Sequence, residues 1–304
     1  MNILFRADSS SLIGTGHIMR DIVLAQKYLK KKNNIFFACQ DLAGNINHKI
    51  IEKNYNLEIL KSNDKNELIF LIKKMNIDLL VIDNYSIDWK YEKELKKNTG
   101  VKILSLDDTY EKHYCDVLLN HNMSADENKY KSLVPKNCSL QCGSKYTLLR
   151  DEFYKEKKKK KEKNEVKTVF IAMGGADHKN LNIKILKVIK KIKKLKVNIV
   201  TTNANKNLKS LEKYCKNKSW IKLHINSNKI AKLMRKSDFA VVTPSVTVNE
   251  VYFMNLPFIT IKTAENQKDI YEYLKKKNYK TLEKFNEIKL QKKISKIVND
   301  IRKL

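Results

Sequence analysis

The sequence predicts an α/β protein made of two doubly wound domains that face each other across a cleft. Short apolar segments alternate with segments of helical periodicity along the 304-residue chain, which is typical of parallel sheets covered by helices. The pattern runs twice, because each half opens with an apolar strand and a glycine turn that leads into a helix. We therefore expect two Rossmann-like domains that bind their ligands at the carboxyl ends of the strands.

The first domain is expected to span residues 1–149. Its apolar segments predict strands at Ile3–Phe5, Ile35–Cys39, Leu79–Ile82, Val101–Leu106 and Asp116–Leu119. Helical periodicity is found between them, at Ile18–Lys31, Glu67–Met75 and Trp89–Lys97. This alternation of strand and helix indicates a parallel sheet.

A lysine-dominated run separates this domain from the second one. Residues 154–164 have no apolar periodicity, and like charges in series are typical of a solvated segment, so we expect a linker over 150–164. The second domain is expected to span 165–304 and to end in a helical tail. Its predicted elements are a long basic helix over Asn180–Leu195 and strands at Val166–Ala172, Val197–Thr201, Ile221–His224, Phe239–Val242 and Phe258–Ile261.

The turn after the first strand carries the most informative residues of the chain. Gly14 and Gly16 precede His17, which stands at or near the start of a helix, and Arg20 projects from the same helical face. Backbone amides at a helix start attract an anion, and their field disfavours an imidazolium. We therefore expect His17 to be neutral and able to accept a proton.

This turn does not match the fingerprint of a nicotinamide dinucleotide site. Met19 stands where the third glycine of that fingerprint would be, and no acidic residue ends the second strand. A Gly-x-Gly turn also occurs for packing reasons alone, so the turn by itself leaves a purely structural role open.

A second group of candidate residues lies in the other half of the chain. Pro244 stops the strand before it, and Ser245 or Thr247 can cap the next helix, whose amides would face a phosphate. Glu250, about one turn inside that helix, can accept hydrogen bonds from both hydroxyls of a ribose. The alternative is a capping residue and a solvated glutamate with no ligand.

Composition argues against several classes of function. The net charge is +29, but only five of the 62 basic residues are arginine and the lysines are spread along the chain, so we expect no nucleic-acid partner. No apolar run approaches the roughly 18 residues that span a bilayer. Five scattered cysteines form no Cys-x-x-Cys pair, which argues against disulfides and structural zinc. We expect a cytoplasmic monomer without metal or cofactor.

The chain resembles the GT-B superfamily, which includes the UDP-N-acetylglucosamine transferase of peptidoglycan synthesis. The shared features are the turn Gly14-Thr-Gly-His17, the turn Met173-Gly-Gly175, and Ser245 with Glu250 five residues later. Within that superfamily the chain is most similar to the UDP-2,4-diacetamido-2,4,6-trideoxy-β-L-altropyranose hydrolases of pseudaminic acid biosynthesis. Further similar segments are Leu4–Ser11, Gly100–Ser105, Leu133–Pro135, Arg150–Tyr154 and Asn266–Gln267.

This resemblance implies an activity and a set of site residues. The enzyme would release UDP from its small-molecule UDP-sugar substrate by attack of water at the anomeric carbon, with inversion, and His17 would be the base. Glu250 and Ser245 would hold the ribose and diphosphate, and Tyr85 and Asn266 would contact the diacetamido sugar. The full set of implied substrate-binding residues is Gly14, Gly16, Arg20, Tyr85, Gly174, Gly175, Ser245, Glu250 and Asn266.

Two other functions stay open at the level of the residues. A GT-B glycosyltransferase would pass a UDP-amino sugar to a hydroxyl acceptor in place of water. A non-catalytic, basic nucleotide- or RNA-binding protein would need no base at His17, so binding without turnover would distinguish it.

Overall fold

The computed structural model describes residues 1–160 and 167–302. It divides into two compact units, Met1–Leu149 and Arg150–Leu304. Each unit is built on one parallel sheet with helices in the connections. The expectation of two doubly wound α/β domains is therefore confirmed for each unit taken by itself.

The first unit contains a seven-stranded sheet in the order β3-β2-β1-β4-β5-β6-β7. The strands are β1 (Asn2–Ala7), β2 (Asn34–Gln40), β3 (Asn56–Leu60), β4 (Leu79–Asp83), β5 (Lys102–Leu106), β6 (Val117–Asn120) and β7 (Ser139–Cys142). Helices α1 (Gly16–Leu29), α2 (His48–Ile51), α3 (Lys65–Lys74) and α4 (Trp89–Thr99) follow the first four strands in turn. The strand order reverses between β1 and β4, so the loops after these two strands diverge and leave a crevice at the carboxyl edge.

Two apolar layers cover this sheet, one on each face. Alternation along β1 sends Ile3 and Phe5 into the layer that also holds Ile18 of α1, and Leu4 into the layer that holds Leu68 of α3. Each fully buried aliphatic or aromatic side chain contributes about 1.5–3 kcal/mol. Because both faces are covered, the central strands are almost continuously apolar, which made them recognisable in the sequence.

The second unit contains a six-stranded sheet in the order β10-β9-β8-β11-β12-β13. The strands are β8 (Lys167–Ala172), β9 (Leu195–Thr201), β10 (Ile221–Ile225), β11 (Phe239–Val242), β12 (Phe258–Ile261) and β13 (Lys280–Leu282). The helices are α5 (Asp151–Lys157), α6 (Leu181–Lys190), α7 (Leu208–Cys215), α8 (Ile230–Arg235), α9 (Val246–Phe253), α10 (Lys268–Lys276) and α11 (Glu287–Arg302). The strand order reverses between β8 and β11, so this sheet has its own crevice at the carboxyl edge.

Three strands were absent from the sequence prediction, and all three are edge strands. Strands β3 and β7 close the two sides of the first sheet, and β13 closes one side of the second. An edge strand is only partly covered and carries polar residues, as in Ser139–Cys142, which has no fully buried position. Apolar patterning is therefore weak where these strands form.

Two predicted boundaries in the second half of the chain were wrong. The basic helix ends at Lys190 and not at Leu195, because Lys194 adopts a left-handed conformation with φ of +59° and β9 begins with the buried Leu195. The expected linker over 150–164 begins with helix α5, which buries Phe153. Residues 161–164 of that linker, and Val166 of the predicted strand, lie outside the described residues.

Candidate active site

The loop after β1 brings His17 to the carboxyl edge of the first sheet. Gly14 has φ of +86°, a conformation that glycine adopts without strain, and its backbone pairs with Ser10. Helix α1 then begins at Gly16, so His17 lies in its first turn, as the sequence predicted. Apart from Gly16 itself, its two chain neighbours and the backbone of its own helix, no described atom comes within 4 Å of the position that a Cβ on Gly16 would take, so packing against the rest of the described chain does not require glycine there.

A buried carboxylate holds the imidazole of His17. His17 Nδ1 lies 2.6 Å from Asp83 Oδ1, and the two residues are 7% and 1% exposed. Asp83 is the last residue of β4, whose register pairs it with Ala7 at the end of β1. The sheet therefore places this carboxylate directly beside the loop that carries His17.

Arg20 binds the same carboxylate with two hydrogen bonds. Its Nε lies 2.5 Å from Asp83 Oδ2, its Nη2 lies 2.5 Å from Asp83 Oδ1, and its Nη1 lies 2.9 Å from Asp108 Oδ2. Burial opposes the charge on the guanidinium, but the two carboxylates outweigh it and raise the pKa of Arg20 well above its usual value. Burial alone would raise the pKa of Asp83, but Arg20 and His17 hold it well below its usual range.

These contacts decide which nitrogen of His17 carries the proton. Arg20 keeps Asp83 ionised, and two acceptors would not approach to 2.6 Å, so the hydrogen lies on Nδ1 and is donated to Asp83. The longer contact of 3.2 Å from Arg20 Nη2 to Nδ1 joins two donors and is not a hydrogen bond in this tautomer. Nε2 is then the acceptor, and the arrangement can activate a hydroxyl or water as a general base.

Tyr85 lies against His17 and is itself held by Asp108. The two rings are 4.8 Å apart at their centroids in an edge-to-face arrangement, and the Tyr85 hydroxyl donates to Asp108 Oδ1 at 2.7 Å. Tyr85 is 62% exposed. It also lines a cavity of about 420 Å³ together with Trp89 and His113. An exposed aromatic beside a base is well placed to contact a sugar.

The structure brings His17, Arg20 and Tyr85 into one cluster, and it adds two carboxylates that the sequence reasoning missed. Arg20 was expected among the substrate-binding residues, and in the folded chain its charge is matched by Asp83 and Asp108. Both aspartates stand at the carboxyl ends of neighbouring strands, β4 and β5. Polar residues at consecutive strand ends were therefore the signal that could have identified them.

In the second unit, the Met-Gly-Gly turn follows β8 and packs closely on the end of β9. Gly174 has φ of +79°. The carbonyl of Gly175 accepts hydrogen bonds from Thr201 Oγ1 and from the amide and hydroxyl of Thr202, at 3.0 to 3.1 Å. A Cβ on Gly175 would stand 2.8 Å from Thr202 Oγ1. Both glycines thus have a structural reason for their identity, whether or not they also line a ligand.

The turn continues into helix α6, whose first amides already have a protein partner. Asp177 accepts hydrogen bonds from the amides of Leu181 and Asn182, at 2.8 and 3.0 Å. It is 2% exposed, and burial raises its pKa even though these two amides oppose the rise. The start of α6 is therefore occupied by a side-chain cap, which leaves the start of α9 as the better anion site of this unit.

Ser245 stands at the expected helix start but does not cap it. Its backbone is extended at the N-cap of α9, and its hydroxyl lies 2.9 Å from Thr243 Oγ1. Within the described part of the chain, this hydroxyl bonds no amide of α9, so the capping role predicted for Ser245 was wrong. Without that cap, the amides at the start of α9 keep their capacity to bind an anion.

Glu250 is paired with an arginine that was assigned to the linker. Arg150 Nη2 lies 3.3 Å from Glu250 Oε1, and the side chain of Glu250 is only 13% exposed. Burial raises the pKa of Glu250 to about 7, although Arg150 opposes the rise. The alternative of a solvated glutamate is therefore wrong, because this carboxyl is both buried and paired.

Asn266 completes the group at the carboxyl edge of the second sheet. It is exposed within a 3₁₀ turn, Glu265–Gln267, that follows β12. The Gln267 side chain holds this turn by accepting from the amide of Thr263 at 2.8 Å. Gly174, Ser245 and Asn266 thus follow three strands, β8, β11 and β12, that are neighbours in the sheet.

Over residues 1–160 and 167–302, no group of three or more His, Cys, Asp or Glu side chains could hold a metal ion. Among the helices in the same residues, none is long and apolar enough to cross a bilayer.

Comparison with known proteins agrees with the motifs. No family model matches the chain. The chain is 42% identical to the UDP-2,4-diacetamido-2,4,6-trideoxy-beta-L-altropyranose hydrolase of Campylobacter jejuni, over 94% of this chain and 100% of that protein.

Solved structures support the fold. MurG of Acinetobacter baumannii superposes with a TM-score of 0.67 at 10% identity, covering 98% of this chain and 90% of that one. The spinosyn rhamnosyltransferase SpnG gives a TM-score of 0.71 at 9% identity, covering 98% and 92%. These likenesses, with the two parallel sheets, confirm the GT-B fold. By its full-length identity to the Campylobacter enzyme, the chain belongs to the family of UDP-2,4-diacetamido-2,4,6-trideoxy-β-L-altropyranose hydrolases.

Proposed function

We propose that this protein hydrolyses UDP-2,4-diacetamido-2,4,6-trideoxy-β-L-altropyranose to UDP and the free sugar, as a step of pseudaminic acid biosynthesis. The observation that carries the proposal is the 42% identity, over nearly the whole chain, to a hydrolase of that name. The buried His17–Asp83 pair supports it, because a hydrolase of this kind needs a base that can activate water.

In the proposed reaction, water attacks the anomeric carbon from the face opposite to the diphosphate. His17 Nε2 accepts a proton from the water while the new C–O bond forms. The bond between the anomeric carbon and the phosphate oxygen breaks, and its electron pair leaves with UDP. Asp83 stabilises the imidazolium that results, and the attack inverts the configuration at the anomeric carbon.

We assign the binding of UDP to the second unit. Amides at the start of α9, near Ser245, would stabilise charge on the departing diphosphate, and the Gly174–Gly175 turn would line it. Glu250 would accept hydrogen bonds from the ribose hydroxyls. On this assignment, binding of UDP requires the ionised carboxylate of Glu250, which has a pKa of about 7.

We assign recognition of the diacetamido sugar to Tyr85 and Asn266, and close approach of the substrate to the backbone of Gly14 and Gly16. Support for Tyr85 comes from its exposure beside His17 and from the cavity that it lines. The backbone assignment for Gly16 is supported by the open space around its Cα, where a side chain would meet no described atom of this chain.

We also propose that the enzyme works as a cytoplasmic monomer that needs no metal or cofactor and binds no nucleic acid. All five cysteines are free thiols, which suits a reducing compartment. Turnover in the presence of a chelator tests the metal requirement. The mass of the active species in solution tests whether the enzyme is a monomer.

Hydrolysis in ¹⁸O-labelled water tests the proposed reaction. Attack at the anomeric carbon places the label in the sugar and none in UDP, and an early NMR spectrum shows the inverted anomer. Label in UDP would mean attack at phosphorus and would contradict the mechanism. A parallel reaction with hydroxyl acceptors separates the alternatives, because a new glycoside would indicate a transferase, and binding of UDP without any turnover would indicate a non-catalytic protein.

A further inference from the structure

Asp21 is a buried acid beside the candidate base. It lies on α1 four residues after His17, so the two side chains project from the same face of the helix. Asp21 is 0% exposed, and neither of its carboxyl oxygens has a hydrogen-bond donor among residues 1–160 and 167–302. An ionised carboxylate in such a place would be strongly destabilising, so the side chain needs another way to satisfy its oxygens.

The group that Asp21 faces is itself a carboxyl group. The Asp83 carboxyl lies within hydrogen-bonding reach of Asp21, but an ionised Asp83 has no hydrogen to donate. Two carboxyl groups in contact away from water share one proton. Asp83 already receives three hydrogen bonds, two from Arg20 and one from His17, and therefore keeps its charge. The shared proton belongs to Asp21.

The electrostatic surroundings agree with this division. Burial raises the pKa of Asp21 well above its usual value, the charge of Asp83 raises it further, and Arg20 only partly opposes the rise. The titratable and charged side chains around the two carboxyls are His17, Arg20, Cys39, Tyr85, Asp108 and His121. Of these, His121 is buried, and burial lowers its pKa to about 4, so it adds no positive charge at neutral pH.

We propose that Asp21 is a positioning residue that stays protonated and donates a hydrogen bond to Asp83, which in turn orients His17. The proposal rests on the function of His17 proposed above. The added hydrogen bond fixes the Asp83 carboxylate in the plane that meets Nδ1, and it spreads the negative charge of Asp83. Asp21 therefore limits how strongly Asp83 stabilises the imidazolium, and by this route it influences the pH at which the base is neutral.

Two substitutions separate this role from simple packing. Asp21→Asn keeps the size and offers an amide N–H to Asp83, whereas Asp21→Val removes the donor. We expect Asp21→Val to lower kcat by about ten- to a hundredfold, with KM changed less than about threefold, because a base that is misplaced loses rate and not substrate affinity. On the acid side of the pH profile, kcat/KM of Asp21→Val should fall at a pH about one unit higher than that of wild type. Asp21→Asn should recover kcat to within about threefold of wild type.

An infrared measurement tests the protonation of Asp21 without any turnover. The difference spectrum between wild type and Asp21→Asn should contain the C=O band of a carboxylic acid at pH 7 and still at pH 8. Glu250→Gln is the matched control, because the acid band of Glu250 should disappear as the pH rises through about 7. This infrared measurement still tests the protonation of Asp21 if Asp21→Val fails to fold, or if no UDP-sugar is hydrolysed.

The outcomes distinguish the inference from the function on which it rests. The inference is supported if the infrared difference spectrum contains the carboxylic acid band of Asp21 and the acid side of the kcat/KM profile is shifted in Asp21→Val. The inference is overturned if the band is absent. It is also overturned if Asp21→Val and Asp21→Asn lose kcat equally and the acid side of the pH profile does not move. Neither result would contradict the proposed hydrolase function. Wild-type protein that hydrolyses no UDP-sugar overturns the proposed function, and the band then still reports whether Asp21 holds the proton.

Discussion

At the scale of single residues, the candidate base depends on where one proton lies. Asp83 is ionised because Arg20 binds it with two hydrogen bonds, and it accepts the Nδ1 hydrogen of His17. Nε2 is thereby left with its lone pair. The catalytic histidine of a serine protease is oriented in the same way, by a buried aspartate that accepts its Nδ1 hydrogen, although the two sites share neither fold nor chain order.

Replacing His17 should stop the reaction without preventing binding. His17→Asn or His17→Ala is expected to reduce kcat by at least about 10²-fold, which is the smaller end of what a positioned base supplies. The Kd for UDP, measured by calorimetry, should change less than about twofold, since the UDP contacts are assigned to other residues. Activity within about tenfold of wild type would remove His17 from the mechanism.

Replacing Asp83 should act through the tautomer of His17. In Asp83→Asn the side-chain amide can donate to Nδ1, which moves the ring proton to Nε2 and removes the acceptor. We expect kcat to fall by about 10²- to 10⁴-fold while the protein stays folded. Asp78→Asn is a matched control just before the amino end of the same strand, where the Asp78 side chain accepts a hydrogen bond from the amide of Asn2 at 2.7 Å. Equal losses in both variants would point to a general weakening of β4.

Glu250 should make stability depend on pH in a specific direction. Burial raises its pKa from 4.5 to about 7, so the folded state favours the protonated form. The stabilisation of the folded state that comes from protonated Glu250 is fully present below about pH 4.5 and is lost as the pH rises to about 7. Glutamine stays neutral, so the unfolding free energy of Glu250→Gln relative to wild type should rise by about 2–3 kcal/mol between pH 5 and pH 8.

Chemical denaturation of both proteins at the two pH values measures this difference. Other titrating groups are common to both chains and cancel. A difference that is the same at pH 5 and pH 8 would show that Glu250 titrates at its ordinary pKa.

At the scale of elements, two glycine turns lead from strands towards helices, but they are built for different reasons. In the first unit a Cβ on Gly16 would meet no described atom, whereas in the second a Cβ on Gly175 would stand 2.8 Å from Thr202 Oγ1 and 2.9 Å from its Cγ2. Close packing of the chain on itself thus accounts for Gly175. It does not account for Gly16.

Alanine substitution should separate these two glycines. Gly175→Ala is expected to lower the free energy of unfolding by about 1–3 kcal/mol, because the new methyl group overlaps the Thr202 side chain. The double variant Gly175→Ala/Thr202→Ala should regain much of that loss, since both clashing atoms are removed. Gly16→Ala should leave stability within about 0.5 kcal/mol of wild type and instead lower kcat/KM.

Additive losses from the two substitutions, with no recovery in the double variant, would show that the loss at Gly175 does not come from the clash with Thr202. Full activity in Gly16→Ala would remove the proposed close approach of the substrate to that residue.

At the scale of the whole molecule, the net charge of +29 has a kinetic consequence for an anionic substrate. A UDP-sugar carries a charged diphosphate, and a positive field raises the rate of encounter. We expect kcat/KM to fall several-fold between about 50 and 500 mM salt, with kcat nearly unchanged, because screening acts on encounter and not on the buried base. A kcat/KM that is independent of salt would show that the excess lysines do not steer the substrate.

The sequence alone was sufficient for the central strands, the helix starts and the family. Central strands are buried on both faces and are therefore continuously apolar, and the turn from Gly14 to His17 is a local pattern that needs no distant residue. For the same reason His17 could be proposed as a base from its local pattern. A role for Tyr85 followed only from the resemblance to the hydrolase family, and its place beside His17 is a property of the folded chain.

Only the tertiary structure decided which side chains pair. Asp83 and Asp21 meet because β1 and β4 are neighbours in the sheet, although 62 residues separate the two aspartates along the chain, and Arg150 meets Glu250 across 100 residues. Edge strands such as β7 form because a neighbour offers free backbone groups, and their own residues carry little apolar signal. Pairing and burial are properties of the folded chain, so the protonation states on which the proposed chemistry depends could not be read from local sequence patterns.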